Sequence, residues 1–321
     1  MPTPDVPLHS QPLVFAPLFM ERIWGGRRLK TLFAKQLPPG LKIGESWELV
    51  DRAEAQSVVR EGPARGQTLH GLWTNYRREI FGDVPGAPRF PLLIKLLDAR
   101  EKLSLQVHPP AQIAADLNGE PKTEFWYIAD AEPDAELYVG LKRDVSRESF
   151  ARALRNGTAE EHVHRLRVRA GDAMFLPSGR LHAIGAGNVI VEIQQNSDTT
   201  YRVFDWNRLE ANGQPRQLHV EQSLRSIDFD DYAPGLVAAP EEALLRDPLF
   251  AIDRWNLVEA RAVTPGGQFA IVACLSGKVE CAGASLRPGE IFLVPAALED
   301  RQLRPAAPET ALLRVTLPVR E

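Results

Sequence analysis

The chain of 321 residues has few cysteines and no long uncharged hydrophobic run. Cys274 and Cys281 are the only two cysteines, too few for a disulfide framework, and we expect them to be small buried side chains in a reducing compartment. The amino terminus lacks a basic segment followed by an apolar one, and no apolar run reaches the length of a membrane span. These absences predict a cytoplasmic protein that folds around a hydrophobic core.

An excess of one charge is also absent. The 38 basic and 42 acidic residues are interleaved along the chain, and the net charge is -4. Because no basic face or polybasic segment is present, neither a nucleic acid nor a membrane surface is the expected partner. We therefore expect a small-molecule ligand.

Glycine and proline, with 23 and 26 residues, divide the chain into short apolar runs. Such runs, joined by turns, are typical of strands, and helical periodicity is plausible in few places. The sequence predicts a mostly β protein with accessory helices, two of them within 66–82 and 146–163. The predicted strands include 91–99, 102–108, 124–130, 137–141, 164–171, 173–177, 188–195, 201–206, 269–277, 278–283 and 290–295.

One segment recurs in the sequence. RAGDAMFLPSGRLH, residues 169–182, aligns with RPGEIFLVPAALED, residues 287–300, at a constant offset of 118. A turn glycine, an acidic residue, a short apolar strand and a proline occur in both copies, which predicts two similar small barrels. Chance similarity between two turn-strand-turn segments is the alternative. His182 of the first copy is replaced by Asp300 in the second, so a metal is expected only in the first barrel.

Polar side chains alternate with apolar ones in two of the predicted strands. In LSLQVHPP, Ser104, Gln106 and His108 share one face of the strand, because successive side chains of a strand point to opposite sides. In PKTEFWY, the same alternation places Lys122 and Glu124 side by side on one face. These strands therefore carry imidazole, amide, carboxylate and ammonium groups within apolar surroundings.

A further histidine, His182, follows the turn PSGR, where ligands at strand ends often lie. Taken singly, such residues are more often hydrogen-bonded core or surface residues than metal ligands. Several buried polar groups in one barrel would nevertheless be costly without a common partner. Their nitrogen and oxygen atoms suit a divalent first-row metal, with zinc the default. The candidate metal ligands are Gln106, His108, Glu124 and His182.

Arg202 follows a densely polar segment, residues 194–200. Its side chain could cap a turn or pair with Asp198 or Asp205. A guanidinium group is also a permanent cation with five donors, suited to a phosphate or to a developing enediolate oxygen near a metal. The residues alone leave both interpretations open.

The motifs LSLQVHP, PKTEFWY, PSGRLHAIG and EIQQNSDTTYRVFDW, in this order, together with IWGG and GESWE, resemble a known family. They are similar to the type I mannose-6-phosphate isomerases in their shorter bacterial form. Members of this family are zinc-dependent cupins that interconvert mannose 6-phosphate and fructose 6-phosphate. The resemblance has specific motifs over residues 24–206 and continues more loosely through the second predicted barrel.

The resemblance implies two cupin-type, jelly-roll-like β-barrels. Residues 1–235 would form a metal-bearing catalytic domain with an N-terminal extension and short helices, and residues 236–321 a degenerate barrel without metal. It further implies one zinc ion per chain on the four candidate ligands, a hexose phosphate substrate and a cis-enediol intermediate. Arg202 and Lys122 would be catalytic, and Ser104 would contact the substrate together with them.

The sequence departs from the usual pattern of the family at two places: Pro110 and Ala111 stand where members often have an acidic residue, and Arg180 precedes Leu181 and His182. A small or hydroxyl residue is more usual at position 180, and Arg180 could add a phosphate contact or shift the sugar preference. The general base is not singled out by the sequence. Lys122, Glu192 and a metal-bound water are the candidates.

Two other functions remain as alternatives. Two histidines and a carboxylate also suit iron or manganese in a cupin oxygenase or decarboxylase. The chain could instead be a non-catalytic sugar-binding cupin that keeps its metal as a structural element. Lys122 and Arg202, which flank the ligands, favour an anionic sugar phosphate over dioxygen, and a complete ligand set argues against a purely structural metal.

Overall fold

The computed structural model describes residues 6–209, 213–238 and 242–318. The chain is mostly β, as predicted, with a few short helices. The strands of the first part are β1 (Leu13–Val14), β2 (Leu18–Gly26), β3 (Ile43–Leu49), β4 (Asp51–Arg52), β5 (Ala55–Gln56), β6 (Leu92–Ala99), β7 (Leu105–Val107), β8 (Glu124–Ala131), β9 (Glu136–Leu141), β10 (Val163–Arg167), β11 (Ala173–Leu176), β12 (His182–Ile184), β13 (Asn188–Gln195) and β14 (Tyr201–Phe204). The strands of the second part are β15 (Ala243–Arg246), β16 (Ala251–Asn256), β17 (Arg261–Ala262), β18 (Ala270–Ser276), β19 (Val279–Cys281), β20 (Ala284–Leu286), β21 (Ile291–Val294), β22 (Gln302–Pro305) and β23 (Ala311–Thr316).

The α-helices are α1 (Arg28–Phe33), α2 (Leu69–Asn75), α3 (Arg77–Phe81), α4 (Ala111–Ala114), α5 (Arg147–Asn156) and α6 (Val220–Ser226). None of the helices among the described residues has the length and apolar character needed to span a membrane. The helix predicted over 66–82 is divided into α2 and α3, because Tyr76 leaves the helical conformation with φ -128°. The helix predicted over 146–163 ends early, at Gly157, which takes the left-handed conformation that terminates helices.

Apart from the two-stranded sheet β4-β5, the strands form two sandwiches of antiparallel sheets, and eight strands of each have the same order. In the first, the sheet β11-β8-β13-β6-β3-β2 faces the sheet β10-β9-β12-β7-β14. In the second, the sheet β1-β21-β18-β23-β16-β15 faces the sheet β17-β22-β19-β20. Strands β6 to β13 recur one for one as β16 to β23, which is the eight-stranded order of a jelly roll. The prediction of two jelly-roll-like units is confirmed, and each unit is a pair of facing sheets.

The recurring segment of the sequence occupies equivalent places in the two sandwiches. Gly171 and Gly289 both have positive φ, at 94° and 78°. In each copy, the backbone N–H two residues before the glycine donates to the acidic side chain one residue after it, at 2.9 Å. The strands β11 and β21 then begin two residues after the glycines. The alignment at an offset of 118 therefore reflects a structural repeat.

Alternate residues of the large sheets pack into different cores. Trp126 of β8 points into the first sandwich, whereas Phe125 and Tyr127 point to a core that both sandwiches share. This shared core also contains Phe81 of α3 and Ile271 of β18. The interior of the second sandwich is a separate apolar cluster. The outer faces of the two large sheets are therefore buried against each other.

The N-terminal segment contributes to the second sandwich. Leu13 of β1 pairs with Leu293 of β21, at the edge of the second large sheet. The division of the chain at residues 235 and 236 falls between α6 and β15 and stays a prediction.

Candidate metal centre and active site

Three of the predicted site residues form a row across the small sheet of the first sandwich. Gln106 of β7 lies directly opposite His182 of β12 on one side and Arg202 of β14 on the other. Residues that are paired directly across neighbouring strands share one face of a sheet. Glu124 comes from β8 in the facing sheet and lies close to His182. The two sheets therefore bring their polar side chains together.

His108, Glu124 and His182 form a buried cluster. Nε2 of His108 lies 3.3 Å from Glu124 Oε1, and Nε2 of His182 lies 3.7 Å from Glu124 Oε2. One candidate ligand atom from each of the three residues lies within 4.8 Å of the others. These distances are short enough for one ion to contact all three side chains.

Backbone carbonyl groups fix the orientation of both imidazoles. Nδ1 of His108 lies 2.8 Å from the Thr199 carbonyl oxygen, and Nδ1 of His182 lies 2.9 Å from the Arg180 carbonyl oxygen. Because a carbonyl oxygen only accepts hydrogen bonds, Nδ1 carries the proton in both rings. The Nε2 lone pairs therefore face Glu124, which is the arrangement of metal-binding histidines.

The protonation states of the cluster are those that a metal requires. Burial and the charge of Lys122 lower the pKa of His108 to about 3, and burial lowers the pKa of His182. Burial would raise the pKa of Glu124, but Lys122 and His108 hold it well below its usual value. Neither oxygen of Glu124 accepts a well-directed hydrogen bond from the described residues. Two neutral imidazoles and an ionised carboxylate beside them fit a divalent cation.

Gln106 differs from the other candidate ligands because it is only half-buried. Its amide nitrogen donates to Ser104 Oγ at 3.1 Å. This hydrogen bond orients the amide, so that its oxygen is the atom that could contact a cation. Gln106 and Ser104 both line the same cavity as Glu124 and His182.

The cavity has a volume of about 250 Å³. Four charged residues that line it were not singled out by sequence analysis: Arg22, Glu45, Lys95 and Arg216. Lys95 was detectable, because its charge interrupts the apolar run PLLIKLL, residues 91–97. It lies opposite Glu192 across β6 and β13, and the two charged groups are 3.2 Å apart. Glu192 also accepts a hydrogen bond from Trp126 Nε1 at 2.9 Å.

Lys122 and Arg202 line the cavity from different directions. Lys122 Nζ lies 2.5 Å from Glu124 Oε1 and 3.4 Å from His108 Nε2, so it is next to the cluster. Arg202 donates from Nη1 to the Gln217 carbonyl oxygen at 2.7 Å. Arg202 therefore anchors a neighbouring segment and also lines the cavity, and its contact with the substrate stays a prediction.

Arg180 does not line the cavity. Its guanidinium binds the two carboxylate oxygens of Asp231, both at 2.8 Å, and the Phe175 carbonyl oxygen at 2.8 Å. The expectation of an added phosphate contact from this side chain is wrong, because its donors are engaged outside the cavity.

Comparisons with known proteins agree on one family. Residues 13–143 match the model of the phosphomannose isomerase type I catalytic domain. Mannose-6-phosphate isomerase ManA of Bacillus subtilis is 35% identical over 309 residues, which cover 92% of this chain and 96% of that protein. Mannose-6-phosphate isomerase of Streptococcus mutans is 33% identical over 304 residues, covering 91% and 95%.

Solved structures give the same result. The crystal structure of mannose 6-phosphate isomerase from Bacillus subtilis aligns with a TM-score of 0.84 at 31% identity, covering 96% of this chain and 100% of that chain. The apo form of mannose 6-phosphate isomerase from Salmonella typhimurium aligns with a TM-score of 0.75 at 16% identity, covering 97% and 100%. The second alignment shows the shared fold alone.

Proposed function

The chain belongs to the type I phosphomannose isomerases, and we propose that it interconverts mannose 6-phosphate and fructose 6-phosphate through a cis-enediol with one zinc ion per chain. The observation that carries this proposal is the buried cluster of His108, Glu124 and His182 beside a cavity whose charged lining includes Lys122 and Arg202. Cations in a cavity of this size suit a small substrate with a phosphate group.

The proposed zinc ligands are His108, His182, Glu124 and Gln106. Two neutral imidazoles and one carboxylate are a common set of zinc ligands, and the amide oxygen of Gln106 would be the fourth ligand. A divalent ion held there would supply positive charge next to the oxygens of the opened sugar. The hydrogen bonds to the Thr199 and Arg180 carbonyl oxygens hold the two imidazoles in the required tautomer.

Arg202, Lys122 and Ser104 are the proposed substrate contacts. All three line the cavity, and Arg202 lies next to Gln106 in the row of paired residues. We assign to Arg202 the stabilisation of negative charge on the enediolate oxygen, because a guanidinium keeps its charge at every relevant pH. Lys122 provides a buried ammonium group for the anionic substrate, and the Ser104 hydroxyl offers a neutral contact.

Glu192 is the proposed carrier of the proton between C1 and C2. Glu124 and Glu192 are two of the buried carboxylates that line the cavity, and their surroundings shift their pKa values in opposite directions. Burial raises the pKa of Glu192, and the charge of Glu124 adds to this, although Lys95 opposes it. A carboxyl group with a raised pKa is suited to take up and return a proton near neutral pH.

A coupled assay for fructose 6-phosphate formed from mannose 6-phosphate tests the function. We expect turnover that is lost after chelation and returns when zinc is added, together with one zinc ion per chain by metal analysis. Full activity of the metal-free protein would contradict the role of the metal. Turnover of other hexose phosphates in place of mannose 6-phosphate would contradict the substrate, and binding of sugar phosphates without turnover would favour the non-catalytic alternative.

A further inference from the structure

We infer that the ion pair of Arg180 and Asp231 is a positioning device for His182 that slows the dissociation of the metal. This inference rests on the proposed metal site and extends it to residues outside the cavity. The guanidinium is held at three points, by both oxygens of Asp231 and by the Phe175 carbonyl oxygen. The two side chains are largely buried, with 17% and 14% of their surface exposed.

The backbone of Arg180 is what connects this pair to the ligand. The Arg180 carbonyl oxygen accepts the hydrogen bond from His182 Nδ1 at 2.9 Å. A shift of the peptide at position 180 would therefore change the direction in which the Nε2 lone pair of His182 points. The guanidinium and the carbonyl group belong to one residue, so fixing its side chain restrains the hydrogen bond that orients the imidazole.

The turn that contains Arg180 is also tied to the other histidine. The backbone N–H of Gly179 donates to the His108 carbonyl oxygen at 2.9 Å, and its own carbonyl oxygen accepts from the Asp228 N–H at 2.9 Å. Asp228 lies three residues before Asp231, so the same segment holds the turn through backbone and side chain. The turn therefore lies between the segments of His108 and Asp231.

The structural repeat shows that this turn also forms where there is no ion pair. In the first copy the Arg180 N–H donates to the Pro177 carbonyl oxygen at 3.1 Å, and in the second copy the Leu298 N–H donates to the Pro295 carbonyl oxygen at 3.2 Å. Leucine cannot form an ion pair, yet the turn is present. Forming the turn does not need a charged residue. The contribution of the Arg180 side chain is therefore to restrain His182, the metal ligand that follows the turn.

The test measures zinc dissociation from the zinc-loaded protein into an excess of chromogenic chelator. Replacing the outer partners of metal ligands typically weakens metal binding by 10- to 100-fold. For Arg180→Ala we expect zinc to dissociate about 10-fold faster. Arg180→Lys should give an intermediate rate, because one ammonium cannot reproduce the contacts to both Asp231 oxygens and to the Phe175 carbonyl oxygen. Excess zinc should restore kcat without changing KM.

Arg314→Ala is the matched control. Arg314 pairs with Asp253 in the second sandwich, also donates to a backbone carbonyl oxygen, and has 17% of its side chain exposed. The control should lower thermal stability to a similar extent and leave the rate of zinc dissociation unchanged. Equal rates for Arg180→Ala and the wild type, with stability lowered in both variants, would overturn the inference.

Asp231→Asn provides a second route if Arg180→Ala does not fold. It keeps the side-chain volume and removes the charge that orients the guanidinium, so faster zinc release is expected there too. An unchanged rate in folded Asp231→Asn overturns the inference. If the wild-type protein bound no zinc, the proposed function would fail first. A wild type that binds zinc and isomerises, with variants that release zinc normally, would reject the positioning role alone.

Discussion

Arg202 is the cavity residue whose proposed role is to stabilise the negative charge that develops on the enediolate oxygen. The proposed role predicts that Arg202→Ala lowers kcat by about a hundred- to thousandfold, because losing one preorganised donor to a developing anion costs about 2.7–4 kcal/mol. Arg202→Lys should recover little activity, since an ammonium lacks the planar two-pronged geometry. Steady-state kinetics measures this, with zinc content and circular dichroism as controls. Near-normal turnover of folded, zinc-loaded Arg202→Ala would reduce the residue to its structural contact with Gln217.

Glu192 gives a second prediction at the residue scale, and it concerns pH. A base must be ionised to accept a proton, and burial raises the pKa of Glu192 above 4.5. We therefore expect kcat to rise with pH through an acidic limb that lies above pH 4.5. Glu192→Gln should keep zinc, lose about 10²- to 10⁴-fold in kcat and lose this limb. If folded, zinc-loaded Glu192→Gln keeps its turnover and this limb, Glu192 does not carry the proton.

The site was predictable from sequence where one strand carried several of its residues. Alternation along residues 102–108 correctly placed Gln106 of β7 and Ser104, just before this strand, on the side that lines the cavity. Lys95 was missed because its partner Glu192 is 97 positions away, and only the register of β6 against β13 brings the two together. Arg22 was missed because it lies on β2, which the sequence did not predict as a strand.

At the scale of elements, the best predictions were those of apolar strands between turns. Residues 188–195 and 91–99 correspond to β13 and β6 within one residue. The strands β2 and β3 escaped prediction because charged residues interrupt their apolar pattern, as in IGESWEL of β3. Glu45 of β3 is buried against Arg22, with nitrogen to oxygen distances of 3.1 and 3.0 Å. A buried strand whose charged residues are paired in the folded structure therefore looks like a surface loop in the sequence.

The two repeated turns give a prediction with a built-in control. An added Cβ would meet open space at Gly171. At Gly289 it would lie 2.3 Å from Cγ of Phe33, the last residue of helix α1. Both glycines have positive φ, so alanine costs about 1–2 kcal/mol of backbone strain at either position. Gly289→Ala should lower the free energy of unfolding by a further ~1–3 kcal/mol, because Phe33 must be displaced. Urea unfolding of both variants measures the difference, and equal losses would contradict the close contact.

At the scale of the whole molecule, the two sandwiches divide chemistry and support between them. The interior of the first holds the polar cavity, whereas the interior of the second is filled by apolar residues such as Val272, Phe292 and Leu312. The sequence indicated a difference between the two copies at one position, where His182 of the first is Asp300 in the second, and the absence of a metal from the second stays a prediction. It could not predict the shared core, because the outward side chains of the large sheets look like any second hydrophobic face of a strand.

The shared core predicts that the metal site and the second sandwich unfold together. Phe269, 2% exposed, precedes β18 and packs against Phe81 and Phe90, with ring centroids 5.5 and 6.0 Å apart. Phe269→Ala should cost about 3–5 kcal/mol, as expected for a buried aromatic side chain. Although Phe269 belongs to the second part of the chain, urea should then release zinc from the first sandwich at a lower concentration.

Zinc release, far-ultraviolet circular dichroism and tryptophan fluorescence should follow one coincident urea transition in the wild type and in Phe269→Ala. Val258→Ala is the control, because Val258 lies in the same part of the chain and is 89% exposed, and it should leave the transition unchanged. The alternative is two independent units. In that case zinc release from Phe269→Ala would keep its wild-type midpoint while the circular dichroism signal of the second sandwich is lost earlier. A single shifted transition would mean that the second sandwich and the metal site unfold as one unit, because the core between the two large sheets joins them.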